Sequence, residues 1–449
     1  MLTRNGLLLD ASLELKKNLT VRPVENALGI QAPSFKVWRQ ATNGRMLVPR
    51  YFWESPVTKD ARKLPVHAPG IVFNGTLRTE TRQTDAFDAG VTAFTEKGGG
   101  VLSLPCGFGK TTVALALSAH LKVRTMIVVH KEFLANQWAE KIREFCPGAT
   151  IGRVQGDVFD IEKDFVIAMI QTLCIRPEGE GPKMFAKNAF DSVGLVIVDE
   201  AHHIGAPAFS QFMFKVCPRY TLGLTATPER KDGLTRILYW FLGPEFFRVE
   251  RTNQAQTRVV TVHYTCDAFK EPPPVTRFGK INMAGMITVV TELPERNSLI
   301  VKTVKDVLRL DRKVLVLSDR REHCFNLHEK IGSISGLYIG GMDENQLRET
   351  SKMRVVIATF QLAHEGLDIP ALDTVILATP KSDIKQSIGR IMRETPGKKN
   401  HPMIYDFVDH WSVLNSMYMK RCVIYKEGGF LFDEEKESPK IFGKGKCLL

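Results

Sequence analysis

Short apolar runs separated by amphipathic segments constrain the fold of this chain more than any other feature. Five such runs lie between residues 101 and 227, and five more lie between residues 313 and 409. A run that is apolar throughout is typical of a strand buried on both faces, and the intervening segments have the period of helices. The sequence therefore predicts an α/β fold with two tandem domains, each built on a parallel sheet covered by helices.

The remaining segments differ from these two series. Residues 1–75 are interpreted as a small mixed α+β domain, with two strands around an Asn43-Gly44 turn. Residues 76–250 and 299–449 are the two predicted α/β domains. Residues 251–298 contain three consecutive prolines and several glycines, and are interpreted as a connector.

The positive charge of the chain is concentrated in two places. The whole sequence has 61 Lys+Arg and 49 Asp+Glu, a net charge of +12. Residues 1–70 have 11 basic and 5 acidic residues, and residues 380–401 have 6 and 2. Such clusters are typical of a polyanion partner, although a solvated charged face explains charge alone equally well. Charge does not distinguish DNA, RNA and acidic lipid.

Targeting and covalent features are few. No apolar run approaches the roughly 18 residues that a membrane span requires, so we expect no membrane partner. The eight cysteines form no C-x-x-C pair. A reduced, cytoplasmic setting is therefore expected.

A glycine-containing loop follows the first apolar run. The segment LPCGFGKTT occupies residues 104–112, between a predicted strand and a predicted helix. Glycines allow backbone N–H groups to surround phosphate oxygens, Lys110 can reach the β- and γ-phosphates, and Thr111 can offer its hydroxyl to Mg²⁺. The residues expected to bind a nucleotide here are Pro105, Cys106, Gly107, Phe108, Gly109, Lys110, Thr111 and Thr112.

Two adjacent carboxylates end another buried run, IVDEAHH at residues 197–203. Asp199 is placed to hold Mg²⁺, largely through water, and Glu200 to polarise an attacking water. A pair of acids capping a helix is the alternative interpretation. His202 is expected to connect this site to neighbouring elements.

The segment QSIGRIMR at residues 386–393 lies in the second predicted α/β domain. Arg390 and Arg393 are three residues apart, so on a helix they share one face. In a phosphate-containing cleft they would stabilise the transferred γ-phosphoryl group, and Gln386 would help to position that group or the water. A basic surface helix is the alternative.

In this order, these segments resemble the motifs of superfamily 2 helicases. LPCGFGKT resembles motif I, DEAH at 199–202 motif II, TAT at 225–227 motif III and QSIGRIMR motif VI. The segments at 127–138, 316–323 and 357–370 resemble motifs Ia, IV and V. The resemblance spans roughly residues 76–410. GLTATPERKDG at 223–233 and the long motif V resemble the XPB-type and UvsW-type branch, which includes phage branch-migration helicases.

The resemblance implies two RecA-like domains that use ATP and Mg²⁺. It implies that Gln83 recognises adenine and that Gly366 and Asp368, in motif V, contribute to the nucleotide site. It also implies an N-terminal domain that contacts duplex or branched DNA. The residues that it places at the nucleic acid are Lys131, Gln171, Thr172, Arg320 and Thr359.

The expected function is that of an ATP-dependent DNA helicase acting on branched or forked DNA. Its reactions would be branch migration, fork regression or unwinding of R-loops, in which RNA is the partner strand. We expect a monomer, in the host cytoplasm if the protein is encoded by a phage. The alternatives are a duplex translocase that displaces proteins, an RNA helicase, and a nucleic-acid clamp with a relic ATP site.

Overall fold

The computed structural model describes residues 1–24, 32–53, 59–105, 107–175, 185–186, 188–203, 206–226, 229–230, 232–249, 257–367, 369–389, 391 and 400–432. Of residues 203, 206, 344, 364–366 and 386 it describes the backbone alone. The chain divides into two units, Met1–Glu250 and Arg251–Leu449. In the described part of the chain, no helix is long and apolar enough to cross a membrane.

The first unit begins with short strands. They are β1 (Leu2–Thr3), β2 (Gly6–Asp10), β3 (Thr20–Val21), β4 (Phe35–Lys36), β5 (Arg39–Gln40) and β6 (Arg45–Val48), with helix α1 (Leu13–Asn18) after β2. An antiparallel sheet has the order β1-β2-β6-β5, and β3 pairs separately with β4. Asn43 and Gly44 both have positive φ between β5 and β6, as a two-residue hairpin turn requires. The predicted hairpin is confirmed.

This N-terminal sheet shares a hydrophobic core with the rest of the first unit. Leu7, Met46 and Val48 are buried in the same cluster as Phe214 and Phe241, which lie far along the chain. The segments on either side of the predicted boundary at residue 75 therefore pack against each other in one core.

The central sheet of the first unit has eight strands. They are β7 (Gly99–Ser103), β8 (Thr125–Val129), β9 (Ile151–Gln155), β10 (Val158–Phe159), β11 (Phe165–Met169), β12 (Leu195–Val198), β13 (Tyr220–Thr225) and β14 (Glu245–Arg248). Their order is β10-β9-β11-β8-β12-β13-β7-β14, and each neighbouring pair is parallel except β10 with β9. The helices are α2 (Gln83–Glu96), α3 (Lys110–Leu121), α4 (Glu132–Phe145), α5 (Ile170–Ile175), α6 (Ala206–Met213) and α7 (Thr235–Leu242).

Both faces of this sheet are buried, as continuous apolar strands predict. Along β12, Val196 and Val198 contribute to one core cluster, whereas Leu195 and Ile197 contribute to a second. Successive side chains of a strand point to opposite faces, so the two clusters lie on the two sides of the sheet. Because the strands are parallel, the loops that follow their carboxyl ends lie along one edge of the sheet.

The second unit has a seven-stranded parallel sheet. Its strands are β15 (Arg258–Tyr264), β16 (Val314–Ser318), β17 (Ser335–Tyr338), β18 (Val355–Thr359), β19 (Thr374–Leu377), β20 (Met403–Asp409) and β21 (Leu431–Phe432), in the order β17-β18-β16-β19-β20-β15-β21. Its helices are α8 (Met283–Glu292), α9 (Pro294–Arg309), α10 (Arg321–Ile331), α11 (Glu344–Lys352), α12 (Phe360–Gly366), α13 (Lys385–Gly389) and α14 (Val413–Glu427). The predicted α/β class with parallel sheets is confirmed.

The segment interpreted as a connector contributes to this second sheet. Strand β15 pairs in parallel along its whole length with β20. Its sequence is RVVTVHY, rich in the β-branched residues that favour strands, and the three prolines follow it. Residues 258–264 are therefore part of the second unit's core layer, and helix α8 lies within the same segment.

Two buried ion pairs fix elements of the second unit. The Arg296 side chain donates to both carboxylate oxygens of Asp409, at 2.6 and 2.8 Å, and to the carbonyl oxygen of Ala378. Arg421 donates to Asp406 at 2.8 Å. Each pair joins a helix to the carboxyl half of β20.

Candidate active site

The glycine-containing loop connects β7 to α3. Gly107 and Gly109 have φ of 89° and 81°, a left-handed conformation that glycine adopts at little cost. Phe108 donates its backbone N–H to the carbonyl oxygen of Pro105, and α3 then begins at Lys110. A glycine turn that leads directly into a helix N-terminus is typical of a phosphate-binding loop. Cys106 lies outside the described residues.

The side chain of Lys110 lies between the loop and the acidic segment. Its Nζ donates to the carbonyl oxygen of Leu104 at 3.4 Å and lies 3.6 Å from Oε1 of Glu200. Thr111 and Thr112 are partly buried in the first turn of α3. The predicted lysine and the predicted catalytic glutamate are thus brought together, although they are ninety positions apart in the sequence.

Gln83 is hydrogen-bonded to the backbone of the glycine-containing loop. It is fully buried at the start of α2, accepts a hydrogen bond from the backbone N–H of Arg78 at 3.0 Å, and donates to the carbonyl oxygen of Phe108 at 2.9 Å. A Cβ at Gly109 would overlap the Gln83 amide, so this position needs glycine for space as well as for its φ. Contact between Gln83 and adenine stays a prediction.

Asp199 follows β12, and its carboxylate is held on both oxygens. Oδ1 accepts from the backbone N–H of Glu200 at 2.9 Å, and Oδ2 accepts from the indole Nε1 of Trp138 at 2.8 Å. Burial, followed by the charge of Glu200, raises the pKa of Asp199 to about 6, whereas the Trp138 hydrogen bond and Lys110 lower it. The two donors fix the orientation of this carboxylate.

Glu200 adopts a left-handed backbone conformation, with φ of 45°. For a residue other than glycine this costs about 1–2 kcal/mol, so the contacts of the side chain must hold it there. Besides Lys110, its carboxylate lies 3.6 Å from Nδ1 of His202, which is hydrogen-bonded to Oγ1 of Thr225 at 2.8 Å. The contact of His202 joins the loop after β12 to the end of β13.

Arg230 contacts the backbone of His202. It donates to the His202 carbonyl oxygen at 2.9 Å and forms a bidentate pair with Asp232 at 2.6 and 3.0 Å. The carbonyl oxygen of Asp232 accepts the backbone N–H of Val24, from the N-terminal region. A continuous set of contacts therefore runs from the N-terminal region to the acidic segment.

Three residues predicted to contact nucleic acid lie at adjacent strand ends of the first unit. Lys131 follows β8, and Gln171 and Thr172 follow β11. Gln171 donates to the carbonyl oxygen of His130 at 2.8 Å, and Thr172 accepts from the backbone N–H of Gly156 at 3.0 Å. The structure brings these three residues to one edge of the sheet, and their contact with a strand stays a prediction.

The second unit carries the remaining predicted residues. Arg320 follows β16 and donates to the carbonyl oxygen of Ala284 at 2.8 Å, which ties it to α8. Thr359 ends β18, and Gly366 ends α12. The backbone of Gln386 lies in α13. The predicted residues outside the described part of the chain are Asp368, Arg390 and Arg393.

Sequence reasoning gave no role to two residues of this site. Trp138 is a buried residue of α4 and Arg230 follows motif III, and both contact the acidic segment through side-chain donors. Trp138 and Asp199 are 61 positions apart. Only the fold brings them together, so no local pattern could identify the pair.

Comparison with known proteins identifies the family. The family described as "Type III restriction enzyme, res subunit" matches residues 76–230, which carry the site described above. A protein of Acanthamoeba polyphaga mimivirus, provisionally named an ATP-dependent RNA helicase, is 30% identical over 436 residues, covering 91% of this chain and 81% of that protein. The chain is a superfamily 2 helicase. As a member of this family, it is an ATP-hydrolysing enzyme.

A solved helicase structure agrees with the fold of this chain. Dbp5 of S. cerevisiae, bound to RNA and ADP BeF3, aligns with a TM-score of 0.50 at 14% identity, covering 78% of this chain and 88% of that chain. The T4 UvsW structure aligns with a TM-score of 0.34 at 18% identity, covering 83% and 78%. The second superposition is too poor to assign the helicase to the UvsW-type branch.

The site fits the ATP that the family uses. Gly107 and Gly109 have no Cβ in the loop before α3, where phosphates would lie, and Lys110 supplies a cation beside it. Asp199 presents a carboxylate whose orientation is fixed by two donors, which suits a Mg²⁺ ion bound through water. Bound Mg²⁺ would neutralise phosphate charge at this point.

Proposed function

We propose that this helicase uses ATP hydrolysis to move on branched or forked DNA and to exchange or separate its strands, in replication, recombination or repair. The observation that carries the proposal is the connected set of Lys110, Glu200, His202 and Thr225. It joins the nucleotide loop to the end of β13 through contacts of 3.6 Å or less. A change at the phosphates would thereby alter contacts elsewhere in the first unit, as a motor requires.

Each residue of the site has a separate part in this proposal. Lys110 exchanges its contact with Glu200 for the β- and γ-phosphates, which leaves the Glu200 carboxylate able to polarise the attacking water. Asp199 would hold Mg²⁺, largely through water. Arg390 and Arg393 are proposed to stabilise the charge of the transferred phosphoryl group.

A cationic cluster in the N-terminal region supports binding to a nucleic-acid backbone. The ammonium groups of Lys16 and Lys36 lie 5.2 and 5.1 Å from the ring centroid of Trp38. The indole Nε1 of Trp38 donates to Thr20 at 3.4 Å, which orients the ring. Two cations arranged on one aromatic ring provide a fixed positive surface, and we propose that it contacts DNA phosphates.

Assignment to the XPB-type and UvsW-type branch is part of the proposal. It is supported by GLTATPERKDG at 223–233, in which Arg230 and Asp232 form the bidentate pair described above. In this interpretation the pair connects the N-terminal region to the DEAH segment.

The proposal predicts DNA-stimulated ATP hydrolysis and unwinding of forks, four-way junctions or R-loops. Lys110→Ala should lower both by at least about 100-fold. A wild-type enzyme that no DNA stimulates would contradict the proposal. Lys16→Ala with Lys36→Ala should weaken junction binding and reduce the slope of log K against log salt by about 2. Lys302→Ala with Lys305→Ala, on α9, is the matched control that removes two exposed lysines elsewhere.

A second candidate, an RNA helicase, is favoured by the name of the mimivirus relative. Duplexes of identical sequence in DNA, RNA and hybrid form would distinguish the two, because the enzyme should unwind its natural substrate fastest. A duplex translocase would displace a third strand from a triplex but leave forks intact.

A further inference from the structure

An exposed hairpin follows β15 in the second unit. Val275 and Ile281 pair antiparallel, and the backbone N–H of Thr276 donates to the carbonyl oxygen of Lys280 at 2.7 Å. Gly279 closes the turn with φ of 73°, a left-handed conformation common in short hairpins. Arg277 and Phe278 therefore occupy the tip.

The base of this hairpin is held firmly. The backbone N–H of Asn282 donates to the carbonyl oxygen of Pro274 at 2.7 Å. Glu271, which precedes the three prolines, accepts a hydrogen bond on its carbonyl oxygen from the indole of Trp411 at 3.1 Å. The same indole stacks on Phe269, with ring centroids 5.3 Å apart. These contacts fix the base of the hairpin, so its tip should keep its position when a nucleic-acid strand contacts it.

Phe278 is the most exposed Phe or Trp among the residues that the structure describes, at 75%. The guanidinium carbon of Arg277 lies 4.7 Å from its ring centroid, and Lys280 follows one residue after Gly279. An exposed aromatic ring with a guanidinium beside it and a lysine two positions later suits single-stranded nucleic acid, because the ring can stack on a base and the cations can contact phosphates.

The hairpin leads directly to a residue expected at the nucleic acid. Asn282 caps α8 by accepting the backbone N–H of Gly285 at 3.0 Å. In the first turn of α8, the carbonyl oxygen of Ala284 accepts from Arg320 of motif IV at 2.8 Å. The chain that ends the hairpin is thus bonded to the motif IV arginine within the same unit.

We propose that Phe278 stacks on an unpaired nucleobase, while Arg277 and Lys280 contact the phosphates beside it. The inference rests on the proposed nucleic-acid substrate and adds a site that the helicase motifs do not include. Stacking at this tip would hold one strand after its base pair opens. Every base has an aromatic face, so the contact would be independent of sequence.

The test uses single strands of DNA and of RNA that carry 2-aminopurine at one position at a time. The full-length wild type and Phe278→Trp should quench 2-aminopurine at one or two positions, and Phe278→Ala should abolish that quench. Affinity should fall at least about 5-fold in Phe278→Ala, the lower end of the effect of one base–aromatic stack. The DNA and RNA arms identify which strand is held.

Phe325→Ala is the matched control, because Phe325 is 40% exposed on α10 of the same unit. The stacking proposal is overturned if Phe278→Ala quenches and binds like the wild type at every position. If the wild type itself binds no strand, the proposed function fails instead, so the two failures are distinct.

Discussion

Asp199→Asn should increase the free energy of unfolding of the first unit. The same substitution should abolish ATP hydrolysis, because it removes the carboxylate proposed to hold Mg²⁺. Burial, with the adjacent Glu200, raises the pKa of Asp199 to about 6, above its usual 3.8. A folded-state pKa above the unfolded one means that ionisation costs stability. The cost is absent below about pH 4, increases as the pH rises, and is complete above about pH 6. Two pKa units correspond to about 3 kcal/mol at pH 8.

An asparagine would recover most of this cost. Its amide has one oxygen for two donors, the Trp138 indole and the Glu200 backbone N–H, so one hydrogen bond is lost at about 1 kcal/mol. The net gain is about 2 kcal/mol, or about 4–8 °C in the melting temperature of a unit of this size. At pH 5 the cost for wild-type Asp199 is about half as large, so the gain should nearly vanish.

Thermal melting at pH 8 and pH 5 would measure this difference. Asp88→Asn is the matched control, because Asp88 is exposed on α2 of the same unit and should change neither melting temperature. If Asp199→Asn melts at or below the wild type at pH 8, the reasoning from burial is wrong. A gain that is equal at both pH values would also refute it, since ionisation of Asp199 could not be its cause.

Three further substitutions test other contacts. Lys110→Ala should lower ATP hydrolysis by at least about 100-fold without changing the circular dichroism spectrum, since it removes one preorganised cation. Trp138→Phe should raise the Mg²⁺ concentration for half-maximal binding of a fluorescent ATP analogue by about 10-fold or more, because the Asp199 carboxylate loses an orienting donor; an unchanged Mg²⁺ titration would contradict this role. Asp409→Ala should destabilise the second unit by about 3–5 kcal/mol in urea unfolding, because Arg296 remains buried without its carboxylate; a loss under about 1 kcal/mol would show that Arg296 finds other partners.

The central sheets could be predicted from the sequence because each central strand coincides with a short apolar run. The run at 194–200 is apolar until Asp199, and the structure has β12 at Leu195–Val198 with the carboxylates just after it. Alternation with helices requires parallel connections, which bring the strand ends to one edge. The contact between Lys110 and Glu200 follows from that rule, and the structure has it at 3.6 Å.

Contacts that depend on packing between distant segments could not be predicted in this way. Trp138 has the spacing of a buried helix residue, and nothing local shows that its indole meets Asp199. Strand β15 was interpreted as part of a connector because the prolines beside it dominate the local composition. Its partner β20 lies about 145 positions later, so sequence alone gave no sign of the pairing.

The core shared by the N-terminal sheet and the first α/β sheet limits how the enzyme can be dissected. Removing residues 1–75 would expose Phe214 and Phe241, which the N-terminal side chains cover. The truncated protein would gain a large apolar surface and would aggregate before the proposed nucleic-acid binding could be measured. Single surface substitutions, rather than truncation, are therefore the way to test the proposed nucleic-acid binding of the first unit, and any protein engineered from this motor must retain its N-terminal sheet.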